Sequence, residues 1–471
     1  MKSSSLLKHY VSVLVAGAAM SFAIGAAASN KPAVDQALHD QALAILQKSI
    51  GFRTVDGAGQ VPAYAEYLKS VLVAAGYAHG DIAIEPVANT ATFVARYKGT
   101  DSKQKPLLVI GHMDVVEAKR EDWQRDPFTP VIENGYVFGR GSVDNKFEVS
   151  MITATMANLK RQGWKPKRDV ILAFSGDEET AMASTRKLAS EFKDAELALN
   201  GDAGGGLLSE EGQPVVYGLQ AGEKTYADFN LIVTNPGGHS SRPGKVNAIN
   251  QLAAALDRIG KYQFPPKHNE LTLAYFRESL PKLSGPTAEA VKRYVANPED
   301  AQAIATLSED PSYVGQLRTT CVSTMIEGGH ATNALPQKAV ANINCRIFPG
   351  TPVAEVQKTL NEIAADPAVK ITQVTTGSVA SDASPLRKDV MAAVTKAVHA
   401  SYPGLSIVPS MSAGATDSMH FRAHGVPSYG VSGLFMKDSD EFSHGLDERV
   451  PVSAIDGALA HWNRLLKDLA R

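Results

Sequence analysis

Three short apolar runs in the first half of the chain each lead into a turn that carries polar or acidic residues. They span residues 107–110, 170–174 and 197–199. Continuous apolar runs of this length are typical of strands buried on both faces of a parallel sheet. The segments between them, Lys146–Arg161 and 182–192, repeat apolar residues at helical spacing. This alternation predicts an α/β fold with a mainly parallel sheet and helices on both of its faces.

The pattern changes after residue 222. Strand-like and amphipathic segments follow in the order strand, helix, strand, strand, helix, strand, which is typical of the ferredoxin-like βαββαβ motif. In the first of these helices, Ile249, Leu252, Leu256 and Ile259 repeat at helical spacing and are predicted to face inward. The α/β pattern resumes afterwards, so the βαββαβ unit is predicted to be an insertion in the larger domain.

The predicted organisation has four parts: a signal peptide at 1–28, the first part of the larger domain at 30–222, the inserted domain at 223–380, and the second part of the larger domain at 381–471. Within the insertion, residues 262–318 are Pro-rich and charged. They are interpreted as an irregular helical elaboration of the inserted domain.

The N-terminus has the pattern of a secretory signal. Lys2 and Lys8 precede a short apolar stretch that ends at Ala26, Ala27 and Ala28. We expect cleavage near Ala28, export, and a periplasmic location in a Gram-negative host; the alternative is a membrane anchor. The 471 residues carry a net charge of −2, which argues against a nucleic-acid-binding surface or a membrane-binding surface in the mature protein.

The chain contains two cysteines, Cys321 and Cys345, on neighbouring predicted strands. They either pair, which an oxidising compartment permits, or remain as two buried thiols. Two cysteines are too few for a zinc-ribbon site, so any metal must be held by His, Asp and Glu.

Polar residues that bind metals well follow the predicted strands and loops. In chain order they are His112, Asp114, Asp144, Glu178, Glu179, Asp202 and His444. In open parallel sheets, ligands bind beyond the carboxyl ends of the strands. Five nitrogen and oxygen ligands with one shared carboxylate suit two zinc ions, which can hold a hydroxide between them and polarise a carbonyl. A further glutamate beside them can act as general base and then as general acid.

The ordered motifs resemble those of the co-catalytic di-zinc metallopeptidase family. The motifs are His-x-Asp, Gly-Arg-Gly-x-x-Asp-x-Lys, Glu-Glu, Asp and a distant C-terminal His. That family includes glutamate carboxypeptidase, carnosinase, aminoacylase, acetylornithine deacetylase and succinyl-diaminopimelate desuccinylase. The resemblance covers nearly the whole mature chain, and it implies a zinc-exopeptidase-type catalytic domain with an inserted lid and dimerisation domain.

The resemblance also implies a role for each residue of the site. One zinc ion is bound by His112 and Asp202, the other by Glu179 and His444, and Asp144 bridges both. Glu178 is the general base, and the carboxylate of Asp114 accepts the other ring N–H of His112 and orients it. The peptide bond after Asp144 is expected to be cis. Co²⁺ or Mn²⁺ suits the same ligands as Zn²⁺.

Substrate-binding residues are implied in the inserted domain and near the C-terminus. By resemblance, His239 stabilises the oxyanion in the active site of a partner subunit, so a homodimer is expected. Asn333 is a further substrate or oxyanion contact. Strand alternation places Arg346 on the polar face of its strand, where a guanidinium can bind the substrate carboxylate. The loop that contains Gly414 resembles the family's glycine-rich loop, whose amides meet the same carboxylate.

Together these features predict an exported zinc-dependent exopeptidase, a carboxypeptidase or dipeptidase, that hydrolyses an amide bond adjacent to a free carboxylate through a metal-bridging hydroxide. One alternative is an N-acyl-amino-acid deacylase of the same family, because both substrates present an amide and a carboxylate. A catalytically inactive periplasmic binding protein is a second alternative. The presence of Glu178 argues against the inactive binding protein, since a protein that only binds a solute needs no additional carboxylate beside a complete set of metal ligands.

Overall fold

A computed structural model describes residues 34–375 and 377–471. The predicted signal peptide lies outside these residues. Within them, every helix is too short or too polar to cross a bilayer.

The elements alternate between strand and helix over most of the chain. The strands are β1 Ile82–Val87, β2 Thr90–Tyr97, β3 Leu107–His112, β4 Val131–Glu133, β5 Tyr136–Phe138, β6 Val170–Ser175, β7 Leu197–Asn200, β8 Gly205–Leu208, β9 Pro214–Glu223, β10 Thr225–Thr234, β11 Gly238–His239, β12 Thr320–Gly328, β13 Ala334–Leu335, β14 Lys338–Ile347, β15 Lys370–Val374, β16 Ile407–Ser412, β17 Ser428–Gly430, β18 Phe435–Lys437 and β19 Arg449–Pro451. The helices are α1 Gln36–Ile50, α2 Val61–Ala74, α3 Lys146–Arg161, α4 Ala183–Glu191, α5 Ala248–Lys261, α6 Glu270–Ser279, α7 Gly285–Ala296, α8 Ala301–Ser308, α9 Pro311–Leu317, α10 Val353–Ala364, α11 Lys388–His399, α12 Ser418–Ala423 and α13 Ile455–Leu469.

The large sheet has the order β1-β2-β6-β3-β7-β17-β9-β8-β18, and β16 pairs with β9. Its central strands β6, β3, β7 and β17 run parallel. Both faces are covered: Leu107 and Val109 of β3 pack with the core under α1, α3 and α13, whereas Leu108 and Ile110 pack with the core under α4. The three apolar runs therefore form buried neighbouring strands, and the predicted α/β fold is confirmed.

The second sheet has four strands in the order β12-β14-β10-β15. Along the chain its elements follow as β10, α5, β12, β14, α10 and β15, which is the βαββαβ order expected from the sequence. Cys321 and Cys345 occupy paired positions on β12 and β14 and form a disulfide. The structure therefore contains the disulfide and not the two buried thiols that were the other alternative. The domain boundaries and the role of this unit as a lid stay predictions.

The structure of residues 262–318 differs from the irregular helical elaboration that the sequence predicts. Helices α6–α9 enclose their own small core, which includes Phe276, Val291 and Tyr294. They also pack on the large sheet, because α6 lies against β16 and Leu271 belongs to the main core. The Gln316 side chain donates to the Met411 carbonyl at 3.2 Å. The segment is helical, as predicted, but it is a regular cluster of helices, and it packs on the large sheet.

One helical position also differs from its predicted orientation. Leu252 and Ile259 of α5 are buried against the second sheet, but Ile249 is 40% exposed. It lies at the outer side of that sheet, where edge strand β12 exposes apolar residues as well. Helical spacing identified the apolar stripe, but it could not show that one side of the stripe is left uncovered by the described part of the chain.

Candidate active site

The carboxyl ends of neighbouring strands bring the predicted metal ligands together. His112 ends β3, Glu178 and Glu179 follow β6, and Asp202 follows β7. These three strands are adjacent in the order β6-β3-β7, so their ends meet at one edge of the sheet. Asp144 precedes helix α3 and reaches the same place.

The first group of ligand atoms belongs to His112, Asp144 and Asp202, which lie within 4.8 Å of one another. His112 Nε2 is 2.9 Å from Asp144 Oδ1 and 3.4 Å from Asp202 Oδ1. His112 is almost fully buried and the two carboxylates are partly buried. This is the set that the sequence assigns to one ion.

The second group belongs to Asp144, Glu179 and His444, also within 4.8 Å of one another. His444 Nε2 is 3.1 Å from Asp144 Oδ2 and 3.0 Å from Glu179 Oε1. The two oxygens of Asp144 thus face different histidines. A carboxylate placed in this way has the geometry of a bridge between two ions.

A buried carboxylate that sequence reasoning missed holds the loop of the bridging residue. Glu448 accepts hydrogen bonds from the backbone N–H groups of Val143 at 2.7 Å and Asp144 at 3.1 Å. It also forms a buried ion pair with Arg140 at 2.7 Å. The Asp144–Asn145 peptide bond is cis, as the resemblance implies. Glu448 lies four residues after His444, but nothing in that spacing indicated its contact with this loop.

Asp114 has a second role that the His-x-Asp motif did not indicate. His112 Nδ1 lies 3.0 Å from the main-chain oxygen of Asp114 and 3.5 Å from its carboxylate, so the carbonyl is the nearer acceptor. The carboxylate instead accepts the backbone N–H groups of Glu178 at 3.1 Å and Glu179 at 3.0 Å. Asp114 therefore ties the histidine of β3 to the glutamate pair that follows β6.

Glu178 is buried beside the ligands and does not belong to either group that contains Asp144. One of its oxygens lies within 4.8 Å of ligand atoms of His112 and Glu179. Burial raises the pKa of this carboxyl well above its usual range. A carboxyl that takes up a proton readily, close to the metal ligands, is suited to general acid–base chemistry.

The pKa values of the clustered side chains are shifted in the way expected for a site that binds cations. Burial raises the pKa of Asp202 to about 7. Burial opposes protonation of His112, but Asp202, Asp114 and Asp144 outweigh it and hold its pKa well above the usual range. Hydrogen bonds to Asp144 and Glu179 raise the pKa of His444 to about 10. Closely spaced carboxylates that are shielded from solvent ionise together more readily when positive charge lies among them.

The donor set fits two divalent metal ions. Three carboxylates and two imidazoles form two triads that share Asp144. Nitrogen and oxygen donors without thiolate suit Zn²⁺, Co²⁺ or Mn²⁺. His112, Asp144 and Asp202 would hold one ion, and Asp144, Glu179 and His444 the other.

Arg346 and the glycine-rich loop, both predicted to bind substrate, are in contact. Arg346 Nη1 donates to the Ala413 carbonyl at 2.7 Å, and the guanidinium lies over the Tyr226 ring, 4.7 Å from its centroid. Gly414 follows directly in the exposed turn after β16, where its N–H donates to Ser412 Oγ at 2.9 Å. The guanidinium and the loop therefore share one side of the site.

His239 lies on a small two-stranded sheet, β11 and β13, with Asn333 directly before β13, and both residues are outside the two triads that share Asp144. His239 on β11 pairs with Ala334 on β13, and the N–H of Ser240 donates to the Asn333 carbonyl at 3.0 Å. His239 is exposed, and its Nδ1 is 2.8 Å from Ser241 Oγ. Within the single chain, neither residue is part of the metal-ligand cluster.

A cavity of about 470 Å³ connects the metal ligands with the glycine-rich loop. Its lining includes Glu178, Asp202 and His444 at one end and Ser412 and Thr416 at the other. We call it the site cavity. A substrate with an amide at the ligands can thus direct a carboxylate toward the loop and Arg346.

Comparison with known proteins agrees with this geometry. Residues 108–468 match the model of peptidase family M20/M25/M40. A probable carboxypeptidase S-like 2 of Dictyostelium discoideum is 26% identical over 439 residues, 89% of this chain and 82% of that protein. The N-fatty-acyl-amino acid synthase/hydrolase PM20D1 of Xenopus tropicalis is 28% identical over 388 residues, 79% of this chain and 74% of that protein.

Solved structures share the fold across nearly the whole chain. An M20 family metallo-carboxypeptidase, Sso-CP2 from Sulfolobus solfataricus, has a TM-score of 0.70 at 19% identity, with 92% of this chain and 99% of that chain covered. The family resemblance drawn from the ordered motifs is confirmed. Because the family model spans most of the sequence, the chain belongs to peptidase family M20/M25/M40 and is a hydrolase.

Proposed function

We propose that the protein is an exported di-zinc exopeptidase, of the carboxypeptidase or dipeptidase type, that hydrolyses an amide bond next to a free carboxylate. The observation that carries the proposal is the pair of triads that share Asp144, with the buried Glu178 beside them. A site that only bound a solute would need no such glutamate. Export rests on the sequence pattern of residues 1–28.

In this proposal each residue of the chain has a defined task. Two bound divalent ions would polarise the substrate carbonyl and make a water molecule more acidic. Glu178 takes the proton from the attacking water and delivers it to the leaving nitrogen. Arg346 and the loop at Gly414 hold the substrate carboxylate, which fixes the amide at the ligands. His239 and Asn333 supply donors to the developing oxyanion.

A second candidate function is the hydrolysis of N-acyl amino acids. The relative from Xenopus tropicalis is named an N-fatty-acyl-amino acid synthase/hydrolase, and the relative from Dictyostelium discoideum a probable carboxypeptidase. Both substrate classes place an amide next to a free carboxylate. The same residues can serve either reaction. The two substrate classes differ only in the group on the acyl side of the amide.

The proposed role of His239 requires a homodimer. His239 is outside the ligand cluster of its own chain, so it would act in the active site of a second subunit. Edge strand β12 exposes Val322 by 58%, Met325 by 63% and Ile326 by 62%, next to Ile249 on α5. An exposed apolar edge strand is a surface that a second strand can cover. We propose that two copies pair through this face and that each places its His239 in the active site of the other.

The proposed function predicts metal-dependent amine release. The purified mature protein is incubated with a panel of dipeptides and N-acyl amino acids, and amine is measured before and after a chelator is added. We expect hydrolysis that the chelator abolishes and that zinc restores, since the triads lose their function without cations. Cobalt and manganese are compared with zinc in the same assay. If no panel member is hydrolysed while both ions are bound at full occupancy, the proposed function is wrong.

Arg346→Ala is expected to weaken only substrates that carry a free carboxylate. Loss of a charged hydrogen bond of this kind corresponds to roughly a 10- to 100-fold decrease in kcat/KM. The same peptide with an amidated C-terminus serves as the comparison substrate, and its kcat/KM should change little. Arg346→Lys, which keeps the charge but not the planar fork, should lie between the two. Equal losses on both substrates would contradict the assignment to the carboxylate.

A further inference from the structure

A buried asparagine lies between one of the metal ligands and the glycine-rich loop. Asn200 is the last residue of β7, and its side chain is fully buried. Its backbone is held by the neighbouring strands, because it pairs with Ile110 on β3 and its carbonyl accepts the N–H of Val431 at 2.9 Å. The side-chain amide is therefore not needed to hold the strand and bonds to other parts of the site.

The oxygen of this amide holds the backbone of a metal ligand. Asn200 Oδ1 accepts the N–H of Asp202 at 2.9 Å, which closes a short turn of the Asx type directly after β7. The turn directs the carboxylate of Asp202 toward His112 and Asp144, with which it forms the first triad. The position of this ligand thus depends on the Asn200 side chain.

The nitrogen of the same amide holds the end of the glycine-rich loop. Asn200 Nδ2 donates to Thr416 Oγ1 at 3.2 Å and to Ser418 Oγ at 3.0 Å. These two residues lie where the loop that contains Gly414 passes into α12. Both hydrogens of the amide are used in this way, and only its oxygen can accept the N–H of Asp202. The three bonds are therefore satisfied together in one orientation of the amide.

The loop also has an anchor that does not involve Asn200. Asp417 accepts hydrogen bonds from Ser175 Oγ at 2.6 Å, at the end of β6, and from Thr185 Oγ1 at 2.5 Å, on α4. Without the Asn200 amide, the loop should therefore remain attached to the sheet. What is lost is the direct connection between the loop and the turn of Asp202.

We propose that Asn200 is a positioning residue that couples the metal site of Asp202 with the glycine-rich loop. This inference rests on the proposed function, in which Asp202 binds an ion and the loop binds the substrate carboxylate. A group that holds a metal ligand in place typically contributes about 10- to 100-fold to metal affinity. An ion at Asp202 and a carboxylate at the loop then strengthen each other's binding, because coupling between two sites is reciprocal.

The first test is Asn200→Leu, which keeps the approximate size of the side chain and removes its three hydrogen bonds. The metal-free protein is titrated with zinc against a competing chelator. We expect one of the two zinc sites to weaken by about 10- to 100-fold and the other to keep its affinity. The same titration in the Glu179→Gln background, which should retain only the site of Asp202, identifies the weakened site. A variant that was only less stable would show a lower Tm with both affinities unchanged.

The second readout is the preference for a free carboxylate at saturating zinc. It is the ratio of kcat/KM for the best substrate of the panel to that for its amidated form. In Asn200→Leu this ratio should fall about 3- to 10-fold, the usual effect of a lost hydrogen bond. Thr416→Val removes the hydroxyl on the loop and leaves the turn of Asp202 intact, so it should lower the ratio while both zinc affinities stay at the wild-type level. Thr416→Val also carries the test if Asn200→Leu does not fold.

Tyr429→Phe is the matched control. Tyr429 lies on β17, the strand next to β7, and is fully buried. Its hydroxyl donates to the Pro385 carbonyl at 2.7 Å, and neither residue belongs to a triad or lines the site cavity. The substitution removes one hydrogen bond from the same sheet, so Tm should fall while the zinc affinities and the carboxylate preference stay unchanged.

The outcomes separate the role of Asn200 from the proposed function. If Asn200→Leu matches Tyr429→Phe in both readouts, the positioning role is wrong and the proposed function stands. A weakened zinc site with an unchanged carboxylate preference, in either Asn200→Leu or its loop counterpart Thr416→Val, would overturn the coupling, and so would an unchanged preference in Thr416→Val alone. If the wild-type protein hydrolyses no panel member with both ions bound, the proposed function fails, and the coupling to a substrate carboxylate fails with it.

Discussion

Glu178→Gln should lower kcat by about 10²- to 10⁴-fold, which is the range that general acid–base catalysis contributes. The amide keeps the size of the side chain but cannot take a proton from water. Glu178 lies outside both triads that contain Asp144, so both ions should stay bound.

The measurement pairs steady-state kinetics with the metal content of the purified variant. Glu179→Gln is the informative contrast, because Glu179 contacts His444 at 3.0 Å and its loss should release one ion. Glu211→Gln changes an exposed carboxylate and should leave both kcat and metal content intact. Normal turnover of Glu178→Gln with two ions bound would show that another group carries the proton.

The α/β fold was predictable because its signals are local. The run over 107–110 is apolar at every position, and in the structure β3 is buried from Leu107 to His112. Helix α3 has the bounds predicted from its apolar spacing, Lys146–Arg161. Parallel strands also end at a common edge, so the strand pattern was enough to expect His112 and Asp202 near each other.

The features that escaped prediction depend on contacts between distant parts of the chain. Glu448 holds the Asp144 loop from 304 residues away, and no periodicity encodes that contact. The carboxylate of Asp114 binds backbone N–H groups 64 and 65 residues further along. Ile249 follows the helical spacing of a buried residue, yet it is 40% exposed, and no element among residues 34–375 and 377–471 covers it. Local pattern therefore identified the donors, and only the tertiary structure showed what holds them in place.

His239→Ala should lower kcat by about 10²- to 10³-fold, the usual effect of removing one oxyanion donor. In one chain His239 is exposed and contacts Ser241, so we expect it to act in the site of the partner subunit. The variant should remain a dimer in sedimentation velocity and should retain both metals. A fully active monomeric protein would contradict this role.

Mixed dimers decide whether His239 acts in its own site or in that of the partner subunit. Two differently tagged chains are co-expressed, one with Glu178→Gln and the other with His239→Ala, and the heterodimer is isolated through both tags. If His239 acts across the dimer, one site has both an intact Glu178 and an intact His239, and the heterodimer should recover about half of the wild-type activity. The reciprocal control pairs wild type with a chain that carries both substitutions, and it should be nearly inactive. If His239 acts in its own chain, the two results exchange places, because the first heterodimer then has no complete site and the control has one.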